Sequence, residues 1–186
     1  MRILGIAGSL RRDSHNRRLL RAAARLLPPD VELVELDPQA IKSLPHFDED
    51  DEDLEIPAVE AWRDALREAD GALFVTPEYN GSVPGSLKNA VDWASRPFSD
   101  PALRNLPVAV IGASTGMFGA VWAQGDLRRA LGLAGARVVD RELPVPEVHE
   151  TLHPEHGLGD EDIERELAGI LADLVEAIRA RRAARV

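Results

Sequence analysis

The chain has 186 residues, of which 45% are hydrophobic, a composition typical of a globular protein that buries a sizeable core. Its formal net charge of -10 argues against a nucleic acid or an anionic membrane as partner, because phosphate groups attract clustered Lys and Arg. It contains no cysteine, which excludes a disulfide framework, a thiolate nucleophile and cysteine-ligated zinc or iron–sulfur sites.

No interior stretch reads as a linker, so residues 1–186 are predicted to form one domain. No run of 18 apolar residues occurs, and we therefore expect no membrane span. The apolar run 3–7 is followed too soon by Gly8 and Arg11 to be a signal peptide. A cytoplasmic location is expected, and the absence of cysteine is compatible with it.

Short apolar runs alternate with longer amphipathic stretches along the chain. The first half predicts a strand at 3–7, a helix from about Asn16 that ends before Pro28, and a strand at 31–36. The last of these alternates apolar and acidic residues, which predicts a half-exposed strand at a sheet edge. A loop is expected over 37–55, and its acidic run 48–53 is expected to be solvated rather than to hold a metal.

The second half continues the same alternation. Helices are predicted over 59–69, 85–94, 120–131 and 163–178. Buried strands are predicted at 71–76, 108–112 and 136–139. Pro57 suits the first turn of a helix, Gly132 or Gly135 should end the helix over 120–131, and Asp160 should cap the last helix.

Alternating strands and helices predict an α/β fold with a parallel sheet covered on both faces. Five strands in this length indicate a flavodoxin-like sheet with the strand order 2-1-3-4-5. In such a sheet a ligand lies beyond the carboxyl ends of the strands, at the switch between strands one and three. The loops after strands one, three and four should therefore carry the functional residues.

The loop after the first strand contains candidate ligands for a phosphate group. Ser9, Ser14 and Asn16 offer hydrogen bonds, Arg11 offers a charge-assisted donor, and the start of the next helix favours an anion. Ser14 or Asn16 could instead serve only as a helix N-cap. The chain lacks both the P-loop motif and the Gly-x-Gly-x-x-Gly dinucleotide motif.

The loops after strands three and four suit a flat polar ring. Tyr79 could cover a ring face, and the N–H groups near Asn80 and Gly81 could approach ring heteroatoms, although the segment could also be only an elaborate turn. The segment 113–119 is small and punctuated by glycine, and it offers further backbone donors before a helix. Together the three loops predict a mononucleotide that carries a ring.

These segments resemble the NADPH-dependent FMN reductase family, which includes related quinone, chromate and azo-dye reductases. Three stretches carry the resemblance: Gly8-Ser9-Leu10-Arg11 with Ser14 and Asn16, the long signature over 77–93, and Ser114-Thr115-Gly116 with Gly119, Ala123 and Gln124. The family usually has a second Gly after Gly119, where this chain has Ala120.

The resemblance implies FMN as cofactor, NADPH or NADH as co-substrate, and a small electron acceptor such as a flavin, a quinone, an azo dye or a metal oxyanion. It places the FMN phosphate on Ser9, Arg11, Ser14 and Asn16. It places the ring against Pro77, Glu78, Tyr79, Asn80, Gly81, Ser114, Thr115, Gly116 and Gly119. Hydride passes between cofactors in this chemistry, so no side chain is assigned as catalytic.

Family members are dimers or tetramers, so a homodimer or homotetramer is expected. Trp93 and Trp122 are candidate interface anchors, with core packing as the alternative for each. Two other functional classes remain open: a flavodoxin-like electron carrier that does not oxidise NAD(P)H, and a flavin-free interaction domain.

Several further residues have a functional and a structural interpretation. Glu78 could be a general base, but a role in ordering its own loop is favoured, and Lys88 should pair locally with Asp92. A metal site at His149, His153 and His156 is disfavoured, because prolines make this segment a loop. The basic cluster 179–185 should be a solvated helix end.

Overall fold

Five strands pair in parallel in the order predicted from the sequence, β2-β1-β3-β4-β5. The computed structural model describes residues 1–153 and 157–184. His156, considered above for a metal site, and Arg185, part of the basic cluster 179–185, lie outside the described residues. The strands are β1 Arg2–Ala7, β2 Glu32–Glu35, β3 Gly71–Thr76, β4 Pro107–Ala113 and β5 Arg137–Val138.

Helices follow the strands and cover both faces of the sheet. They are α1 His15–Arg25, α2 Pro38–Lys42, α3 Pro57–Arg67, α4 Gly85–Ala94, α5 Val121–Leu133, α6 Val148–Thr151 and α7 Glu161–Ala183. The predicted signals at several ends are confirmed: Pro57 opens α3, and the Asp160 carboxylate accepts the first N–H groups of α7. Gly135, with φ of 94°, follows the end of α5, whereas Gly132 lies within that helix.

The alternation of side chains along the strands divides the core in two. One face of the sheet, with Ile3 and Leu73, packs against α1 and α7. The other face, with Leu4 and Phe74, packs against α3, α4 and α5. The central strands β3 and β4 are buried along their whole length, which explains their continuous apolar sequences.

The strand predicted to be half exposed, β2, does lie at an edge of the sheet. Its last residue, Glu35, accepts hydrogen bonds from Arg17 at 2.6 Å and from Arg21 at 2.9 Å. Partial burial would raise the pKa of Glu35, but the hydrogen bonds from Arg21 and Arg17 outweigh it and lower the pKa. The acidic residue therefore fastens the edge strand to α1.

Two regions contain more structure than the sequence predicted. The expected loop over 37–55 contains α2 and a 3-10 turn at Glu49–Asp51, and its acidic run is tied down by ion pairs from Arg96 to Glu49 and Glu52. Pro38 and the Asp37 cap explain α2, because they fix the first turn of a short helix.

The segment after β5 is the second such region. Strand β6 at Pro144–Val145 pairs with β4 beyond β5, α6 follows, and β7 Leu152–His153 pairs antiparallel with β8 Gly157–Leu158. The prediction of a plain loop was wrong here, because buried Val145, Val148 and Leu152 hold these short elements against the core. Among residues 1–153 and 157–184, no helix is long and apolar enough to cross a membrane.

The basic end of α7 is ion-paired rather than freely solvated. Arg179 lies 3.4 Å from a carboxylate oxygen of Asp30, and Arg182 donates two hydrogen bonds of 2.9 Å to Asp70. Asp70 also accepts the backbone N–H of Arg2 at 2.8 Å. One carboxylate thus joins the start of β1, the turn before β3 and the end of α7.

Asp70 should contribute to stability in a pH-dependent way. Partial burial raises its pKa, but the hydrogen bonds from Arg2 and Arg182 outweigh it, so the folded-state pKa is lowered. A carboxyl with a lowered pKa stabilises the fold above its unfolded pKa of about 4, and this contribution is lost as the pH falls. Asp70→Asn should lower the free energy of unfolding by about 1 kcal/mol at pH 7.

The difference in the free energy of unfolding between Asp70→Asn and the unsubstituted protein should shrink as the pH falls from 5 towards 3. Urea unfolding of the two proteins measures it. Asp162→Asn is the control, because the exposed Asp162 carboxylate forms its one ion pair among the described residues with Arg165 of the same helix. A deficit that stays constant over this pH range would contradict the assignment.

Candidate functional site

The three loops that follow β1, β3 and β4 lie side by side at the carboxyl edge of the sheet. We call residues 8–14 the first loop, 77–84 the second loop and 114–120 the third loop. The N–H of Gly8 donates to the carbonyl of Val75 at 2.9 Å, which joins the first loop to the end of β3. A Cβ at Gly8 would lie 2.7 Å from Cδ2 of Leu87, so any larger residue would require the Leu87 side chain to shift.

Asn16 joins the first loop to the third. Its Nδ2 donates to the carbonyl of Ala113 at 3.0 Å, and its Oδ1 accepts the N–H of the same residue at 3.1 Å. The side chain is buried. Asn16 is thus a bridge between loops, while Ser14 is the N-cap of α1 and accepts the N–H of Arg17 at 3.2 Å.

The start of α1 has unpaired donors. Among the described residues, the backbone N–H groups of His15 and Asn16 and the hydroxyl of buried Ser9 have no hydrogen-bond partner. Such groups, together with the positive end of the helix, favour an anion. Arg11 is exposed in the same loop.

The electrostatics of His15 indicate a positive environment at this point. Burial lowers the pKa of His15, and the charges of Arg18, Arg11 and His149 lower it further. Its buried Nδ1 has no hydrogen-bond partner among the described residues. His149 belongs to α6, so the segment after β6 contributes to the surroundings of the first loop.

The second loop contains a tight turn. Tyr79 and Ser82 exchange backbone hydrogen bonds of 3.1 and 3.2 Å, and the two residues between them have positive φ, 53° at Asn80 and 72° at Gly81. Asn and Gly are the residues that favour this conformation. The turn holds Asn80 and Gly81 in the solvent-exposed position that a ring could approach.

Glu78 orders α5 rather than its own loop. Its carboxylate accepts the backbone N–H of Ala123 in the first turn of that helix, at 3.1 Å. The Ser82 hydroxyl adds a second link by donating to the Asp126 carboxylate at 2.7 Å. The second loop is therefore fastened to the helix that follows the third loop.

The third loop is hydrogen-bonded to residues 145–148, a segment that the sequence analysis did not assign to the site. The N–H of Ser114 donates to Val145, the N–H of Val148 donates to Ser114, and the N–H of Glu147 donates to Gly116. Glu147 has φ of 44°, which a sequence without a Gly or Asn at that position does not indicate. Thr115 and Gly116 remain exposed.

The end of the third loop is closely packed. Gly119 has φ of 57° and Ala120 has φ of 62°, both in the left-handed region. This conformation gives a physical reason for the glycine that the family usually has at position 120. The buried Gln124 amide donates to the carbonyl of Gly119 at 3.2 Å and accepts the N–H of Leu143 at 2.9 Å.

The second loop, the third loop and the first turn of α5 each present a partly exposed aromatic side chain. The rings of Phe118 and Trp122 lie 4.8 Å apart and are half exposed, and Tyr79 is 48% exposed. Trp93, by contrast, is 1% exposed and donates to the carbonyl of Pro45. It therefore packs in the core and is not an exposed interface anchor. Trp122 is available at the surface.

The remaining predicted contacts are also visible. Lys88 pairs with Asp92 on α4 at 2.7 Å, which confirms the local pair. Asn89, within the long signature, fastens the segment 45–47 through bonds to Pro45 and Phe47. In residues 1–153 and 157–184, no group of three His, Cys, Asp or Glu side chains could hold a metal ion.

A solved structure of a flavoenzyme NAD(P)H:(acceptor) oxidoreductase from Paracoccus denitrificans is similar over 96% of this chain and 97% of its own, with a TM-score of 0.82 and 32% identity. The fold and the three loops thus define a flavodoxin-like flavoenzyme. Residues 1–150 match the NADPH-dependent FMN reductase family, and the chain belongs to it.

Curated relatives agree with this family. An NAD(P)H-dependent FMN reductase of Pseudomonas aeruginosa is 46% identical over 70% of this chain and 69% of its own length. A 2-hydroxy-1,4-benzoquinone reductase of a Burkholderia species is 45% identical over 69% of this chain and 68% of its own. The chain is accordingly an oxidoreductase with FMN as cofactor and NAD(P)H as reductant.

Gly119 and Gly116 provide a matched test of the third loop. A Cβ at Gly119 would lie 2.6 Å from the backbone C of Pro144 and N of Val145, whereas a Cβ at Gly116 would meet nothing closer than Ser114 Oγ at 3.9 Å. Gly119→Ala should lower the free energy of unfolding by roughly 2–4 kcal/mol and weaken FMN binding, because the clash adds to the strain of positive φ.

Gly116→Ala should change stability by less than about 1 kcal/mol. Thermal unfolding and FMN titration of the two variants measure both effects. Equal behaviour of the two variants would show that the third loop is not held as described.

Proposed function

We propose that residues 1–186 form one FMN-binding domain and that the three loops hold FMN across the carboxyl edge of the sheet. The observation that supports this most directly is that hydrogen bonds anchor the loop ends at one edge of the sheet: the Gly8 N–H donates to Val75 of β3, and the Asn16 amide donates to Ala113 of β4. The Glu78 carboxylate accepts the N–H of Ala123 of α5. A single ligand can therefore contact all three at once.

The phosphate group belongs, in this proposal, on the first loop. Ser9 and Arg11 would donate to it, together with the unpaired N–H groups at the start of α1. Ser14 accepts the cap hydrogen bond and keeps its own hydroxyl hydrogen, and Asn16 keeps one of its two amide hydrogens, so both can also donate.

The ring would lie between the second and third loops. Its proposed contacts are Pro77, Glu78, Tyr79, Asn80, Gly81, Ser114, Thr115, Gly116 and Gly119. When bound, FMN would accept a hydride from NAD(P)H and pass the electrons on to an acceptor. The chain orients the ring and surrounds it with backbone dipoles, and the Glu78 carboxylate is already engaged with Ala123, which argues against a role as general base.

We propose a quinone as the preferred acceptor, with free flavin as the second candidate. The half-exposed Phe118 and Trp122 rings and the nearby Tyr79 offer flat apolar surfaces beside the mouth of the site. The relatives named above act, by name, on FMN and on a benzoquinone. An azo dye or a metal oxyanion lacks support of this kind.

We further propose a cytoplasmic homodimer or homotetramer that associates through the groove between α4 and α5. This groove has a volume of about 560 Å³, and Val91, Ala130 and Leu133 contribute to its lining. Leu133 is 84% exposed and Phe98 is 70% exposed at its border, which is unusual for large apolar side chains. The absence of cysteine is compatible with a reducing compartment.

The flavin site is tested with purified protein, added FMN and NADPH without oxygen. We expect a bound flavin spectrum that bleaches with NADPH and returns when 1,4-benzoquinone is added. Arg11→Gln should weaken FMN binding about 10-fold or more, because a charge-assisted hydrogen bond to the phosphate is lost. Arg12→Gln is the control, since Arg12 is exposed and is not among the charges that act on His15.

Other outcomes identify the alternatives. A bound flavin that NADPH does not bleach would indicate an electron carrier, and no bound flavin would indicate an interaction domain. Equal loss of FMN affinity in Arg11→Gln and Arg12→Gln would contradict a specific contact between Arg11 and the phosphate. Faster reoxidation by chromate or an azo dye than by benzoquinone would contradict the proposed acceptor.

The association surface is tested by light scattering coupled to gel filtration. Leu133→Glu should shift the protein from dimer or tetramer towards monomer, because the introduced charge would be buried in the interface. Leu54→Glu is the matched control, since Leu54 is 55% exposed but lies outside the groove. An unchanged mass for Leu133→Glu would place the interface elsewhere.

A further inference from the structure

Four arginines from separate segments line a cleft at the opposite edge of the sheet from the three loops. Arg67 ends α3, Arg104 precedes β4, Arg137 begins β5 beside Pro107 of β4, and Arg181 lies near the end of α7. These positions are at the amino ends of the strands. The cleft is therefore separate from the proposed flavin site.

Two of these arginines lack an acidic partner, although the chain has 32 acidic and 22 basic residues. Within residues 1–153 and 157–184, no carboxylate lies within 4 Å of the guanidinium of Arg104 or Arg137. Arg104 donates one hydrogen bond to the carbonyl of Phe98, and Arg137 donates one to the Asn105 side chain. Since a guanidinium has five N–H groups, most of their donors remain available.

The carboxylates near Arg67 do not neutralise the charges of Arg104 and Arg137. Arg67 contacts Asp64 at 3.2 Å and Asp100 at 3.9 Å. Asp100 is the one carboxylate among the described lining residues, and it is 80% exposed, so its long contact is screened by water. The cleft therefore carries a local positive charge on a protein whose net charge is -10.

The size and lining of the cleft define the ligand. Its volume is about 490 Å³, within the range of small-molecule sites. Guanidinium groups pair bidentately with phosphate oxygens, and their origin in four separate segments suits a ligand with several anionic groups rather than one. Among the described lining residues, the apolar side chains are the small ones of Pro101, Ala102 and Ala184, and none is an aromatic ring on which a base could stack.

We propose that this arginine cleft binds a compact oligophosphate, recognised through its linked phosphate groups. The group could be free or could belong to a nucleotide, but the lining offers no recognition of the base. The cleft does not depend on flavin binding.

The experiment is isothermal titration of the FMN-saturated protein with pyrophosphate at low ionic strength. FMN is present so that its own phosphate competes with pyrophosphate for the first loop. We expect one pyrophosphate per chain, weaker binding of orthophosphate, and loss of affinity as potassium chloride is added. Arg104→Gln and Arg137→Gln should each weaken pyrophosphate binding on the order of 10-fold, because each removes a charge-assisted donor.

Arg165→Gln is the matched control, because Arg165 is exposed on α7 outside the cleft. Arg104→Lys should retain part of the affinity, since it keeps the charge and loses the fork of donors. Circular dichroism, bound FMN and the molar mass in solution should be unchanged in all variants, which separates loss of binding from loss of folding or of association. The mass is needed because Arg104 also lines the groove between α4 and α5.

The outcomes with ADP separate the two sources of the phosphate group. Equal affinity for ADP and pyrophosphate supports recognition of any linked pair of phosphates, and binding of pyrophosphate alone supports a free oligophosphate. ADP that binds more than about tenfold tighter would overturn the proposal, since it requires recognition of the base. Loss of pyrophosphate binding in Arg11→Gln but not in Arg104→Gln and Arg137→Gln would place it in the first loop and overturn it as well.

Discussion

The arrangement of the three loops depends on one buried side-chain amide. Asn16 both donates to and accepts from the backbone of Ala113, and so joins the start of α1 to the end of β4. In the sheet, β3 lies between the two strands that lead into these loops, so the bridge spans the switch point of the fold. Removing the amide would leave two buried backbone groups unpaired, at a cost of about 1–3 kcal/mol each. The loops are therefore held in place before a ligand binds.

The other connections extend this preorganisation. The Glu78 carboxylate fastens the second loop to α5, and the Gln124 amide fastens the third loop to the segment before β6. The polar groups of these side chains already form hydrogen bonds with backbone groups. The surface left for a ligand consists of turns, unpaired N–H groups and exposed aromatic rings, with Tyr79 and Phe118 prominent among them. Such a surface binds and orients a cofactor that performs the chemistry itself.

The sequence predicted those features that arise from local patterns. Buried apolar runs located β1, β3 and β4 to within about two residues, and Asn80-Gly81 identified the turn in the second loop. It could not predict the bridge from Asn16, whose partner lies 97 residues away. The short strand β6 and helix α6 were missed because burial of Val145 and Val148 stabilises them against the local signal of the prolines. The arginine cleft was missed for a similar reason, since its residues come from four distant segments.

The carboxylate of Glu78 at the start of α5 also limits how a ligand can be oriented. Two helices begin beside the loops, and each offers a partial positive charge at its amino end. At α5 that position is already filled by an acidic group of the protein itself. At α1 the Arg17 N–H is capped by the neutral hydroxyl of Ser14, and the N–H groups of His15 and Asn16 are unpaired among the described residues. This difference in charge supports the proposed direction of binding, with the phosphate of the nucleotide at α1 and its neutral ring towards α5.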